Sequence, residues 1–161
     1  MTTSDGPAHP VSSLTIRTVD GDVFREWRTP DGELHDGPNG EPAQTEIWPE
    51  GNQITRYYTA GVATNGRGGK PATSWFSGDG SFGFERWTDG KLTDGPQGEP
   101  ARVNVAEDGA IIVERWNDSL RNNGSSGEPA WLELNMDGSV TRSNSPVQGG
   151  AESLDLKWVL G

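Results

Sequence analysis

"DGPQGEPA", residues 94–101, decides how this chain is read, because the same octet is spelled almost identically as "DGPNGEPA" at 36–43. Looser copies stand at 65–72, "NGRGGKPA", and at 123–130, "NGSSGEPA". The last Ala of each octet falls at 43, 72, 101 and 130, so every step is 29 residues. A fixed period of roughly 20–50 residues is the signature of a repeat array. The units therefore end near 43, 72, 101 and 130, and a shortened fifth unit ends near 151 with the worn octet "NSPVQGGA". Residues 1–13 read as an N-terminal tail and 14–161 as a single β-repeat domain.

Each unit has the same anatomy. After Pro-Ala comes a short alternating run: "QTEIW", "TSWF", "RVNV" or "WLELN". A turn pair follows, Glu50-Gly51 or Asp-Gly at 79–80, 108–109 and 137–138, then a return run such as "FGFERW" or "IIVERW". Asp-Gly between two alternating runs is the strongest short-range hairpin signal, since a type I′ turn needs positive φ at both central residues. Gly and Pro occur too often for long helices. The expected fold is all-β: an elongated antiparallel meander of tandem 29-residue hairpins, about ten strands in sequence order, the last over 152–160. The octet is then the connection between hairpins, with its second Pro at a strand start, where a missing N–H does no harm.

Register separates the two faces. With Asp108-Gly109 as a two-residue turn, Val105 pairs with Ile112, and Val103, Ile112 and Trp116 join it on one face, since opposed residues share a side. The same rule groups Leu14 and Ile16 with Val23 and Trp27, and pairs Ile47 with Ile54 and Phe76 with Gly83. This aliphatic face, with the aromatic column Trp27, Tyr58, Trp87 and Trp116, is the expected core. A three-residue loop would flip the return strand. Trp48, Trp75 and Trp131 fall at odd distances after their octet Ala and point the other way, together with Phe24, Phe84, Arg86, Val113 and Arg115. An aromatic and Arg-rich stripe has the composition of a binding surface. The candidate binding residues are therefore Trp48, Trp75, Phe84, Arg86, Arg115 and Trp131. The alternative is that this side packs on itself, in a second layer or a dimer.

Composition bounds the chemistry. Leu, Ile, Val and Phe make up only 28 of 161 residues, a fraction that with high net charge normally reads as disorder. Seven Trp and the strict repeat argue instead for a folded chain with a thin core. The net charge of −11 repels phosphates, so no nucleic acid partner is expected. No Cys is present, which removes disulfides and thiol chemistry. The start has neither a basic end nor an apolar run, so no signal peptide is expected, and no segment is apolar enough for a membrane span. A cytoplasmic location fits these features. His9 and His35 are the only histidines, with no Ser-His-Asp order or metal-ligand spacing. Glu85 and Glu114, in step with the repeat, are answered by Arg25 and Arg56 in other units, which reads as cross-strand charge pairing. We expect no enzyme and no cofactor.

The stretches "WRTPDGELHDGPNGEPA" (27–43) and "WTDGKLTDGPQGEPA" (87–101) resemble the MORN-type hairpin repeats, in particular the bacterial and phage variant ending in Asp-Gly-Pro-Ala. Trp27, Trp87, Gly32, Gly90, Leu34, Leu92 and His35 occupy its pattern positions. The chain departs from it in the Gly-Glu before Pro-Ala, in the period, and in units two and four, where the Asp-Gly is lost. The resemblance covers about residues 14–130. It implies a single-layer elongated sheet and a non-enzymatic role in scaffolding or in binding a protein or membrane. Three function classes follow: a module binding a protein partner or itself, an acidic immunity- or antitoxin-like inhibitor, and a glycan-binding module.

Overall fold

The computed structural model describes residues 12–143, and every structural statement concerns these. The chain opens with a hairpin of β1 (Ser13–Val19) and β2 (Asp22–Arg28) and continues with β3 (Gln44–Ile47) and β4 (Gln53–Arg56). A two-residue-strand hairpin, β5 (Tyr58–Thr59) and β6 (Val62–Ala63), precedes β7 (Thr73–Phe76) and β8 (Phe82–Glu85). The alternation repeats: the short pair β9 (Trp87–Thr88) and β10 (Lys91–Leu92), then β11 (Arg102–Val105) and β12 (Ile111–Glu114). A last short pair, β13 (Trp116–Asn117) and β14 (Leu120–Arg121), precedes β15 (Trp131–Leu134) and β16 (Val140–Ser143). The long strands form one ten-stranded antiparallel sheet in sequence order, and the short pairs stay separate from it. The fold is all-β, as the repeat predicts. The expected strand over 152–160 lies outside the described residues.

Two kinds of turn build the hairpins. Asp20-Gly21 and the tips of the short hairpins, Ala60-Gly61, Asp89-Gly90 and Asp118-Ser119, place both residues at positive φ, as type I′ turns do. The long hairpins use another geometry. Around Glu107-Asp108-Gly109, Ala106 N–H bonds Ala110 O at 2.8 Å and Gly109 N–H bonds Ala106 O at 2.9 Å. That is a three-residue loop: a type I turn closed by a glycine in the left-handed region, Gly109 at φ 86. The loops at 49–51, 78–80 and 136–138 repeat this pattern.

The extra loop residue corrects the expected faces. Val105 pairs with Ile111, not Ile112, and Val103 with Val113. Ile47 pairs with Gln53 and Phe76 with Phe82, in place of Ile54 and Gly83. Only the first hairpin keeps the expected grouping, with Leu14 opposite Trp27 and Thr18 opposite Val23, because Asp20-Gly21 is a true two-residue turn.

Following partners strand by strand, one face carries Ile47, Phe76, Phe82, Phe84, Val103, Val105, Ile111, Val113, Leu132 and Leu134. We call it the aliphatic face. It is not an enclosed core, since Phe76 is 50% exposed and Phe82 46%. The buried side chains of the ten-stranded sheet, Ile54, Trp75, Glu85, Arg102 and Glu114, all lie on the other face. The remaining core sits where the short hairpins meet the long strands. There Ala43, Ala72, Ala101 and Ala130 are sealed off together with Leu92 and Trp116. The short side chain of the octet Ala is what that junction admits.

Candidate functional site

Most letters of the octet have a structural role. Gly37 O accepts from Gly40 N–H at 2.9 Å, so Pro38 and Asn39 occupy the centre of a type I turn and Gly40 takes positive φ. Pro at the first central position presets φ for that turn. The first Gly serves packing instead. A Cβ on Gly37 would stand 3.0 Å from the Trp27 ring, and one on Gly66 would run into Tyr57. The octet Glu closes the loop: Glu41 Oε2 accepts from Asn39 N–H at 2.8 Å, as Glu99 does from Gln97 and Glu128 from Ser126. Hydrogen bonds from Asn39 hold the Glu41 carboxyl below its ordinary range.

The leading Asp or Asn joins one unit to the next. Asp94 Oδ1 accepts from Ala101 N–H and from Trp116 N–H, both at 2.9 Å. Asn65 Oδ1 does the same for Ala72 and Trp87, and Asp36 Oδ1 accepts from Tyr58 N–H at 2.9 Å. Burial pushes the Asp36 and Asp94 carboxyls up, against these backbone bonds, which pull them down. His35 belongs to the same seam, its Nδ1 accepting from Ala60 N–H at 3.1 Å.

The face opposite the aliphatic one is a charged ladder. Arg102 donates to Glu85 at 2.9 Å and to Glu114 at 3.0 Å, and Arg121 also donates to Glu114. Arg56 pairs with Glu46 at 2.7 Å and Arg28 with Glu26 at 3.0 Å. Cross-strand charge pairing is therefore present, with Arg102 rather than Arg25 or Arg56 as the partner of Glu85 and Glu114. Short hairpins pack at the end of this ladder. Trp87 Nε1 donates to Glu85 at 3.0 Å, and the Trp116 ring lies 5.3 Å from the Arg121 guanidinium and 6.0 Å from that of Arg102.

The six candidate binding residues do not share one surface. Trp48, Trp75 and Trp131 lie on the ladder side, as their spacing predicts, and Phe24 lies there too. Phe84 and Val113 lie on the aliphatic face, because the three-residue loop turned their strands over. Arg86 goes with Phe84, its guanidinium 5.4 Å from that ring while donating to Gly69 O at 2.7 Å. Arg115 is likewise occupied with structure, donating to Gly98 O at 2.7 Å and standing 3.5 Å from Asp94. Trp75 is buried at 6% exposure over Gly83, where any Cβ would strike its ring. Its ring is part of the packing, while Trp48 and Trp131 are half-buried.

What the sequence reading missed is the exposed Phe76 and Phe82 pair. The signal was available: the turn type at 78–80 decides whether Phe76 faces Gly83 or Phe82. Among the described residues no helix is long and apolar enough to cross a membrane, and no group of His, Asp and Glu is arranged to hold a metal. Compared with known proteins, the chain matches no protein-family model and no curated protein.

Proposed function

We propose that the chain is a non-enzymatic β-repeat binding module of MORN type that docks a protein partner on its aliphatic face, without a cofactor. The observation that carries this reading is the Phe76 and Phe82 cross-strand pair, 50% and 46% exposed at the middle of the sheet. Around it, from β7 to β15, the face presents Phe84, Val103, Val105, Ile111, Val113, Leu132 and Leu134 and no charged side chain. Five strands about 4.8 Å apart, four residues long at about 3.3 Å each, make this block roughly 300 Å² in projection. A contiguous apolar patch of that size is comparable to the largest on an ordinary monomer, and such patches are often functional. Charge-free centres and aromatic enrichment are the composition of interface cores.

The binding surface is thus moved from the Trp side to the Phe side, while Arg86, stacked on Phe84, remains at its rim. Burial of Trp75 weighs against a glycan stacked on that ring. The test is capture of interacting proteins with the wild type and with the double variant Phe76→Lys, Phe82→Lys. Both side chains are half-exposed, so the variant should melt like the wild type. A defined partner retained by the wild type and lost by the variant is the expected result. A partner held equally by both would place binding elsewhere. Loss of a wild-type dimer in the variant, read by sedimentation, would identify the partner as a second copy.

A further inference from the structure

A second site lies on the ladder side, and it arises where the repeat breaks its own pattern. Positions 54, 83 and 112 are equivalent, and they hold Ile, Gly and Ile. Positions 46, 75, 104 and 133 are also equivalent, and they hold Glu, Trp, Asn and Glu. The room left by Gly83 in the side-chain layer is filled by the Trp75 ring, and Asn104 beyond it is small. The result is an open cleft of about 530 Å³ with Trp75, Asn104 and Ile112 in its lining and the loops at 79–81 and 106–110 on its rim.

Charge in this cleft is one-sided. Asp79, Glu107, Asp108 and Glu133 line it, and no Lys or Arg does. The strands of the main sheet contain five glutamates, all on this face: Glu26, Glu46, Glu85, Glu114 and Glu133. The first four are each paired with an arginine. Glu133 is half-buried and has no cationic partner among the described residues, although its repeat equivalent Glu46 has Arg56. A carboxylate without a cation beside it is free to pair with one that arrives.

We propose that this cleft binds an alkyl cation, an ammonium or guanidinium group, whose aliphatic stem lies along Ile112, beside the largely buried Trp75, while its charge meets Glu133. An aliphatic wall beside a half-buried carboxylate suits a chain that is apolar along its length and charged at its end. Asp79 keeps its charge well below neutral pH, since Ser81 hydrogen-bonds its carboxylate at 2.8 Å and 2.7 Å and holds its pKa down. Phe82 and Val105, from the proposed docking face, also border the cleft, and the variants that test it, at 133 and 108, leave both in place.

Calorimetric titration with spermidine and with a short arginine-rich peptide, at low and at physiological salt, tests the proposal. The proteins are the wild type, Glu133→Gln, Asp108→Asn and the remote control Asp31→Asn. Asp108 Oδ1 accepts from Ala110 N–H at 2.9 Å, a bond that Asn can keep, so D108N preserves the turn if E133Q disturbs the strand. Binding should weaken at least about tenfold in E133Q, and measurably in D108N, with D31N like the wild type. The probe that responds shows whether the cation comes from a free amine or from a peptide. Equal affinity in all four proteins would show only the general attraction of an acidic surface and would overturn the site. So would the absence of heat from both probes at millimolar concentration.

Discussion

At the scale of single residues, the repeated octet is a set of separate steric and hydrogen-bonding requirements. A corner at the second Gly was legible, because Pro and Gly two residues apart announce a turn; that this Gly, and not the one after the leading Asp or Asn, takes positive φ was not. The role of the leading Asp was not, since its acceptor geometry depends on a Trp or Tyr 22 residues further on. Unit two carries Asn65 where its neighbours carry Asp36 and Asp94, so the structure contains its own control experiment. Replacing Asp94 with Asn should keep both backbone bonds and leave stability at neutral pH equal or higher. Replacing it with Ala orphans the Ala101 and Trp116 N–H groups and should cost about 2–4 kcal/mol. The pH dependence follows from the raised carboxyl. Folding favours its neutral form, so its contribution is fully present below the ordinary carboxylate pKa and is lost as pH rises through the raised value. D94N should remove that component, seen as a flatter melting temperature across mildly acidic pH. A variant as sensitive to pH as the wild type would count against this account.

At the scale of the hairpin, the number of strands and their order were written in the repeat, but the faces hung on one residue per loop. Asp-Gly serves both the two-residue turn at 20–21 and the three-residue loop at 107–109, and the dipeptide alone does not choose between them. What distinguishes them is the partner residue before the turn: Val19 pairs with Asp22 directly, whereas Ala106 reaches past three residues to Ala110. The consequence is large because strand periodicity is two, so one residue reassigns every side chain. Trp75 passes from expected contact surface to buried packing, and Phe76 from expected core to open surface. Shortening Glu107-Asp108-Gly109 to Asn-Gly tests the register. Glu114 would leave Arg102, which is 8% exposed and would keep only Glu85. Breaking a buried pair in this way costs about 3–5 kcal/mol. The urea midpoint should fall accordingly, and an unchanged midpoint would show that the loop does not set the pairing.

At the scale of the whole molecule, the units are interchangeable in phase. Deleting 73–101 would join Ala72 to Arg102 and set Asn65 against Trp116, reproducing an existing junction. In a one-dimensional array such a deletion removes one unit and one interface and leaves the rest intact. The shortened protein should keep a β-type circular dichroism spectrum and a cooperative melt. Deleting only 74–101, one residue out of phase, should lose both. Equal behaviour of the two deletions would argue against the period as the unit of structure. The forward reach of the octet clamp bears on how the chain comes to be assembled in the first place. Asp36, Asn65 and Asp94 are each synthesised before the residue they hold, and in every case the gap is the same 22 residues. A nascent chain therefore always presents a finished acceptor to the segment next leaving the ribosome. Growth by accretion needs no distant terminus to return and close the structure, as a barrel does, and each loop to be closed is no longer than the last. The entropy of ordering is thus spread evenly along synthesis instead of falling on one late step.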